Sequence, residues 1–408
     1  MGTESEIVAL LSELVRRPSV NPERNPMAEL SAPFGEERVA AFVESYFAGL
    51  GLKSERQEVA RGRDNLIVRV PGRRKDELPI CLEAHMDTVG PEGMSEPFSP
   101  RIEAGRLHGR GSCDTKGSLA AMMLALAHVV RQGLEPALPV WLVAAADEEY
   151  GQSGAHRLAA SGARFSGAIV GEPTRLEVVA AHNGQFYLRI NAHGKAAHSS
   201  MPQNGVNAIY AMTDAVAVLR RRSASEYPRR KHALCGSPVL TVSIIEGGMS
   251  EHIVPDRCTI ALDRRTIPGE TTAEAVAELR RWLDEDLDAT TAGRIEIVPP
   301  HHDATPLETP TSHPLVQGLA QASTHVLGRS KITGVPYNTD AGVLGRSGSP
   351  ALVFGPGDIA QAHTAQEYVD IAELVAATEI LERFLVHELD GWPRSGLGQR
   401  PPAKGSTI

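Results

Sequence analysis

The sequence predicts an α/β protein with a mostly parallel sheet, interrupted by an inserted βαββαβ unit. Apolar runs at Ile80–Ala84, Val140–Ala146, Ala168–Val170 and Ala351–Phe354 have the length and composition of strands buried on both faces. Helical stretches at Ser118–Val130 and Ser153–Ala160 alternate with them, which implies βαβ units and a parallel core. From about Asn183 the pattern changes to alternating strands and amphipathic helices in the order β-α-β-β-α-β, the ferredoxin-like unit.

The elements follow in order. Ile7–Val15 has helical spacing, and Pro18 stops the helix behind Arg16-Arg17. Asn21–Ala32 reads as a loop, and Phe34–Leu50 as a second helix closed by Gly51. Leu52–Val59 and Asn65–Val70 read as strands before a Pro71-Gly72 turn. In the insert, strands are expected at Gln185–Ala192, Pro238–Glu246, Arg257–Asp263 and Arg294–Val298, with helices at Gly205–Arg222 and Thr271–Leu287. His301 and His302 fall in the loop that returns to the first domain, where paired histidines read as solvated. A helix is expected at His313–Leu327, a strand at Ile332–Asn338 and a closing helix at Ile371–Leu389. Residues 1–182 and 299–390 thus form one domain and 183–298 a second. The segment 391–408, rich in Pro, Gly, Ser and Arg, reads as a mobile tail.

Composition narrows the function. With 408 residues, 42% hydrophobic and 22% charged, the chain is an ordinary globular protein. A formal net charge of −9 and the lack of a basic stripe argue against nucleic acid. The basic runs Arg220–Arg222 and Arg229–Lys231 read as solvated faces. Cys81, Cys113, Cys235 and Cys258 are widely spaced and fit free thiols in a reducing compartment. No apolar run is long enough for a membrane span, and the acidic start does not resemble a signal peptide, so a cytoplasmic location is expected.

Chemistry is concentrated where the apolar runs stop. In open α/β sheets, ligands bind beyond the carboxyl ends of the strands. The first run ends in His85-x-Asp87, the second in Asp147-Glu148-Glu149-Tyr150-Gly151, the third in Gly171-Glu172-Pro173-Thr174. The fourth leads through Gly355-Pro356-Gly357 to His363, and the loop Gly109–Gly117 delivers Asp114 to the start of a helix. Each carboxylate alone has a plainer reading as a helix cap or a solvated loop charge. Gathered together, such like charges need a cation, or a steep pKa penalty follows. The set reads as a dinuclear metal centre.

These motifs together are similar to those of the M20 metallopeptidase family: His85-x-Asp87, Gly109-Arg110-Gly111-x-x-Asp114-x-Lys116-Gly117, Glu148-Glu149-x-Gly151, Gly171-Glu172-Pro173-Thr174 and His363. The pattern resembles most the acetylornithine deacetylase and succinyl-diaminopimelate desuccinylase group. The family also contains aminoacylases and glutamate carboxypeptidases. The insert resembles the family's lid and dimerisation domain through His193–Ser200, Gly247-Gly248, Val254-Pro255-Asp256, Asp263-x-Arg265 and Pro268-Gly269. The fold implied is a metallo-aminopeptidase-like catalytic domain carrying that lid.

The resemblance implies that His85, Asp114 and Glu172 bind one metal, and that Asp114 bridges to a second held by Glu149 and His363. Asp87 would orient His85, Glu148 would act as general base, and a cis peptide would follow Asp114. His198 would reach the neighbouring subunit's site in a homodimer; its plainer reading is a turn cap. Arg265 would hold a substrate carboxylate, or else form a surface ion pair with Asp263 or Asp256. Thr115, His252 and Asn338 depart from the family's usual residues, and the last two lie in the expected substrate pocket. Carboxylate and imidazole ligands suit two divalent ions, zinc first, with cobalt or manganese as alternatives. The activity implied is hydrolysis of an N-acyl amino acid. The alternatives are a carboxypeptidase or dipeptidase of the same family, and a non-catalytic metal-binding scaffold, which the intact Glu148 and ligand set disfavour. The inserted unit disfavours a single-domain aminopeptidase.

Overall fold

The computed structural model describes residues 2–22 and 34–394. Most of the expected loop Asn21–Ala32 and of the expected tail 391–408 lies outside the described residues. The first body begins with α1 (Thr3–Val15), α2 (Glu37–Ala48), β1 (Ser54–Ala60), β2 (Arg63–Val70) and β3 (Ile80–His85). A hairpin, β4 (Arg101–Glu103) and β5 (Arg106–His108), leads to α3 (Lys116–Arg131), β6 (Val140–Ala145), α4 (Ser153–Ala160), β7 (Gly167–Val170) and β8 (Val178–His182). A second sheet follows with β9 (Gly184–His193), α5 (Ala208–Glu226), β10 (Val239–Gly247), β11 (Arg257–Thr266), α6 (Thr272–Asp286), α7 (Ala289–Ala292), β12 (Ile295–Ile297) and β13 (His302–Ala304). After it come β14 (Leu307–Glu308), α8 (Pro314–Leu327), β15 (Ile332–Val335), α9 (Asp340–Arg346), β16 (Ala351–Val353), β17 (Tyr368–Asp370) and α10 (Ile371–Val386).

The large sheet runs β1-β2-β6-β3-β7-β16-β8-β14, with β15 beside β8. Its centre, β6-β3-β7-β16, is parallel, and antiparallel strands flank it. Side chains alternate between two apolar layers. Leu66, Val68, Ile80, Leu82 and Ala84 pack with α1, α3 and α10, while Ile67, Cys81, Val143 and Ala168 pack with α4 and α9. Burial on both faces explains why these strands read as continuous apolar runs. Parallel pairing has a functional consequence, because the carboxyl ends of all four central strands open on one edge. His85 ends β3, while residues 147–149, Glu172 and the His363 loop follow β6, β7 and β16.

The second sheet runs β10-β11-β9-β12, the ferredoxin-like order, with β13 added beside β9. Phe186, Leu188, Ile190, Ile260, Leu262 and Trp282 form its separate core under α5 and α6. On β11 the alternation buries Arg264 and leaves Arg265 on the opposite face.

Some local expectations change. His302 starts β13 rather than lying in a loop; it pairs with Tyr187, and their rings stack at 5.0 Å. Tertiary pairing there overrides a polar sequence. The strand expected at 332–338 stops at Val335, where Pro336 supplies no donor. The next residues turn into α9, capped by Thr339. All of the cysteines are free. No helix among the described residues is long and apolar enough to cross a membrane.

Candidate metal centre

Among the described residues, two groups of ligand-type atoms converge at the carboxyl edge of the large sheet. They are His85, Glu148 and Glu172, and Asp114, Glu149 and His363, the atoms of each lying within 4.8 Å of one another. Asp114 spans the two groups. Its Oδ1 is 3.1 Å from His85 Nε2, and its Oδ2 is 3.3 Å from His363 Nε2. His363 Nε2 is also 3.1 Å from Glu149 Oε2, and His85 Nε2 is 3.7 Å from Glu172 Oε1. The Asp114–Thr115 peptide is cis.

His85 is fixed from behind. Its Nδ1 lies 3.0 Å from the Asp87 carbonyl oxygen and 3.4 Å from Asp87 Oδ1. Both atoms are acceptors, so the ring hydrogen belongs on Nδ1 and Nε2 is the atom offered to a cation. Asp87 does more than orient the ring. Its Oδ1 accepts the Glu148 N–H at 3.1 Å, and its Oδ2 accepts the Glu149 N–H, also at 3.1 Å. One buried carboxylate therefore sets the imidazole and the backbone of both glutamates.

Sequence reasoning missed what supports Asp87. Asn21 Nδ2 donates to Asp87 Oδ2 at 2.7 Å and to Asp147 Oδ1 at 2.9 Å. Arg63 Nη2 reaches Asp147 Oδ1 at 3.1 Å, and Arg63 Nε donates to Glu36 Oε2 at 2.9 Å. Arg63, Glu36 and Asp147 are all buried. Removing one partner of such a buried pair leaves an uncompensated charge, at about 3–5 kcal/mol. No short-range spacing in the sequence connects these residues. Two more buried acids were missed. Burial pushes Glu83 on β3 up to about 8, and it raises Asp340 at the start of α9 well above the usual range.

The glycine loop is tied on two sides. Thr115 Oγ1 donates to the carbonyl of Gly171, the residue before Glu172, at 2.8 Å. Lys116 Nζ donates to the carbonyls of Leu14 and Arg17 at 3.1 and 2.8 Å, closing the end of α1. A Cβ on Gly171 would approach within 2.7 Å of Ser118 Cβ, so glycine lets β7 and α3 meet here.

Residues expected on the lid do not reach the metal groups within one chain. His198 Nδ1 bonds Ser200 Oγ at 2.8 Å, and His252 Nδ1 bonds Ser250 Oγ at 2.8 Å. The two loops are adjacent, since the Ser199 N–H donates to the His252 carbonyl at 3.0 Å. Arg265 takes the ion pair with Asp263, through Nε and Nη2 at 3.0 Å each. Arg264 is buried over Tyr227 and paired with Glu270. Asn338 is half-buried just ahead of Thr339.

The electrostatics call for positive charge. Burial pushes the Glu148 and Glu172 carboxyls well above the usual range, and neighbouring carboxylates push further. Burial works against charge on His85, yet Asp114 and Asp87 hold its imidazolium well above normal. Hydrogen bonds that the Asp114 and Glu149 carboxylates accept from its ring raise His363 to about 10. The donors are hard carboxylate oxygens and imidazole nitrogens, without a thiolate, and such a set fits divalent cations. His363 remains 49% exposed, which places the second group at the mouth of the crevice.

This geometry can be compared with known proteins. A family model for peptidase family M20/M25/M40 matches residues 81–387. An acetylornithine deacetylase of Edwardsiella ictaluri (strain 93-146) is 31% identical over 388 residues, covering 93% of this chain and 97% of that protein. The aminopeptidase PepT of Bacillus cereus ATCC 10987 superposes with a TM-score of 0.77 at 20% identity, over 95% of this chain and 100% of that one. A dinuclear metal binding M20 peptidase of Bacillus subtilis superposes with a TM-score of 0.67 at 15% identity, over 95% and 99%. The family model spans all the ligand-type residues that the central strands bring to one edge, and with the full-length relative it shows that the chain belongs to peptidase family M20/M25/M40 and is a metal-dependent hydrolase.

Proposed function

We propose that the chain hydrolyses the amide bond of N-acyl amino acids, as a deacylase related to acetylornithine deacetylase or succinyl-diaminopimelate desuccinylase. The observation that carries the reading is Asp114, whose two oxygens face His85 and His363 from the two ligand groups. Likeness to a deacetylase over nearly the full length of both chains supports the deacylase over the peptidase. His85, Asp114 and Glu172 would hold one cation, and Asp114, Glu149 and His363 the other. Zinc is our assignment, with cobalt or manganese able to replace it. Bound there, the cations supply Lewis acidity and acidify a water towards neutral pH. Glu148 would take a proton from the attacking water as its oxygen bonds to the acyl carbon, and would return it to the amine nitrogen as the C–N bond breaks. Its placement suits this, because Asp87 fixes its backbone beside Glu149 at the end of β6. Metal-reconstituted protein should turn over N-acetyl, N-succinyl or N-formyl amino acids faster than dipeptides. Preferred cleavage of dipeptides would select the carboxypeptidase or dipeptidase reading instead.

Arg265 is the proposed carboxylate clamp. Asp263 occupies the Nε–Nη2 edge of its guanidinium, which leaves Nη1 for a second anion. Lysine has no such fork. Arg265→Lys should lower kcat/KM on N-acyl amino acids about tenfold or more, the size of a charged hydrogen bond. The matching amides, which carry no carboxylate, should lose far less. Equal losses on both substrates would place the clamp elsewhere. His252 and Asn338 are assigned to the same pocket.

The chain is further proposed to act in the cytoplasm as a homodimer built through the lid. β10 is an edge strand with exposed Val239, Ile244 and Ile245, an unpaired apolar edge suited to a second copy. His198 would then serve the partner's site, stabilising the tetrahedral oxyanion there. Mixing His198→Ala with Glu148→Gln subunits should restore part of the activity, because half of the heterodimer's sites become complete. No recovery despite demonstrated subunit exchange would place His198 outside the reaction.

A further inference from the structure

Glu367 lies four residues beyond His363 and is fully buried, yet nothing so far gives it a task. Every partner of its carboxylate is a donor. Oε1 accepts the Cys113 N–H at 2.9 Å and the Asp114 N–H at 3.0 Å. Oε2 accepts the Gly111 N–H at 2.9 Å and Arg110 Nη1 at 2.7 Å. A protonated carboxyl would set its own hydrogen against one of these donors, so the contact set is built for the anion. Arg110 in turn donates from Nε to the Gly90 carbonyl at 3.1 Å.

The backbone repeats the connection. β17 pairs with β5, Tyr368 opposite His108, and the Gly109 N–H donates to the Glu367 carbonyl at 3.3 Å. The segment that carries His363 is thus fastened to the glycine loop that carries Asp114. We propose that Glu367, with Arg110, is a positioning residue that holds Asp114 and His363 in register, and so controls the second cation site selectively. This rests on the ligand assignment above. Asp114 is held by Glu367 through its N–H, and His363 lies four residues before Glu367 on the fastened segment, whereas Glu149 follows β6 on another element. The first group keeps His85 and Glu172 on strand ends, and Thr115 holds the loop to Gly171 on that side.

The test is zinc affinity of the full-length protein, read by competition with a chromophoric chelator. Glu367→Gln keeps the shape but turns an amide NH2 towards donors. It should weaken the equivalent assigned to Asp114, Glu149 and His363 roughly 10–100-fold, the usual effect of losing support behind a ligand, and the equivalent that shares only Asp114 with it by clearly less. Arg110→Gln, which spares the backbone bonds, should shift the same equivalent by less. Should Glu367→Gln fail to fold, judged by near-UV circular dichroism, the Arg110→Gln result decides. Two unchanged equivalents, or equal weakening of both in a folded variant, would overturn the proposal. His363→Ala is the control on the ligand assignment. If it retains both equivalents, the assignment fails; if it loses one while Glu367→Gln and Arg110→Gln lose none, only the positioning role fails.

Discussion

Glu148→Gln is expected to lose at least about 10²-fold in kcat while retaining both cations, the range that general acid–base catalysis contributes. The glutamine keeps the volume and one acceptor oxygen but has no proton affinity to offer. Glu148 shares its ligand-like group with His85 and Glu172, so a structural role as a third ligand is the competing possibility. The two roles separate in the readout. Loss of a base lowers turnover with the metal content intact, whereas loss of a ligand lowers the metal content first. Asp87 holds the residue 148 backbone whichever side chain is present, so the substitution leaves the Asp87 support in place. Full turnover in metal-loaded Glu148→Gln would remove Glu148 from the chemistry.

Asp114→Ala should have the second large effect, on metal content. Each of its oxygens serves a different group, so truncation removes a donor from both sites and leaves His85 and His363 without their shared anion. Glu172→Ala and His363→Ala each remove a donor from one site only. After mild chelation, elemental analysis should find both equivalents depleted in Asp114→Ala, with affinities down by at least roughly 10–100-fold. The other two variants should retain more metal. Two firmly held equivalents in Asp114→Ala would rule out the bridge.

Much of this was legible in the sequence, for a physical reason. Strands buried on both faces leave continuous apolar runs, and ligands at parallel strand ends leave polar residues where those runs stop. His85, Glu149, Glu172 and Asp114 stood out on that basis. What supports them did not. Arg63, Glu36 and Asn21 are brought to Asp87 by α2, β2 and a loop, with no periodicity to connect them. Glu367 reads as one more loop acid until its four donors are seen. β13 hid behind His301-His302-Asp303, because its pairing with β9 is decided by tertiary contact rather than by composition. α9 hid because its short Gly-containing sequence reads as a turn. Arg265 lies on the less buried face of β11, and its Asp263 partner makes its role a matter for substrate kinetics.

One measurement bears most directly on the dinuclear hydrolase. Chelated wild-type protein is given back zinc in sub-stoichiometric steps while hydrolysis of an N-acyl amino acid is followed. Activity should be absent in the stripped protein and should level off at two equivalents per chain. Undiminished activity in the stripped protein, or a rate that added zinc does not change, would contradict it.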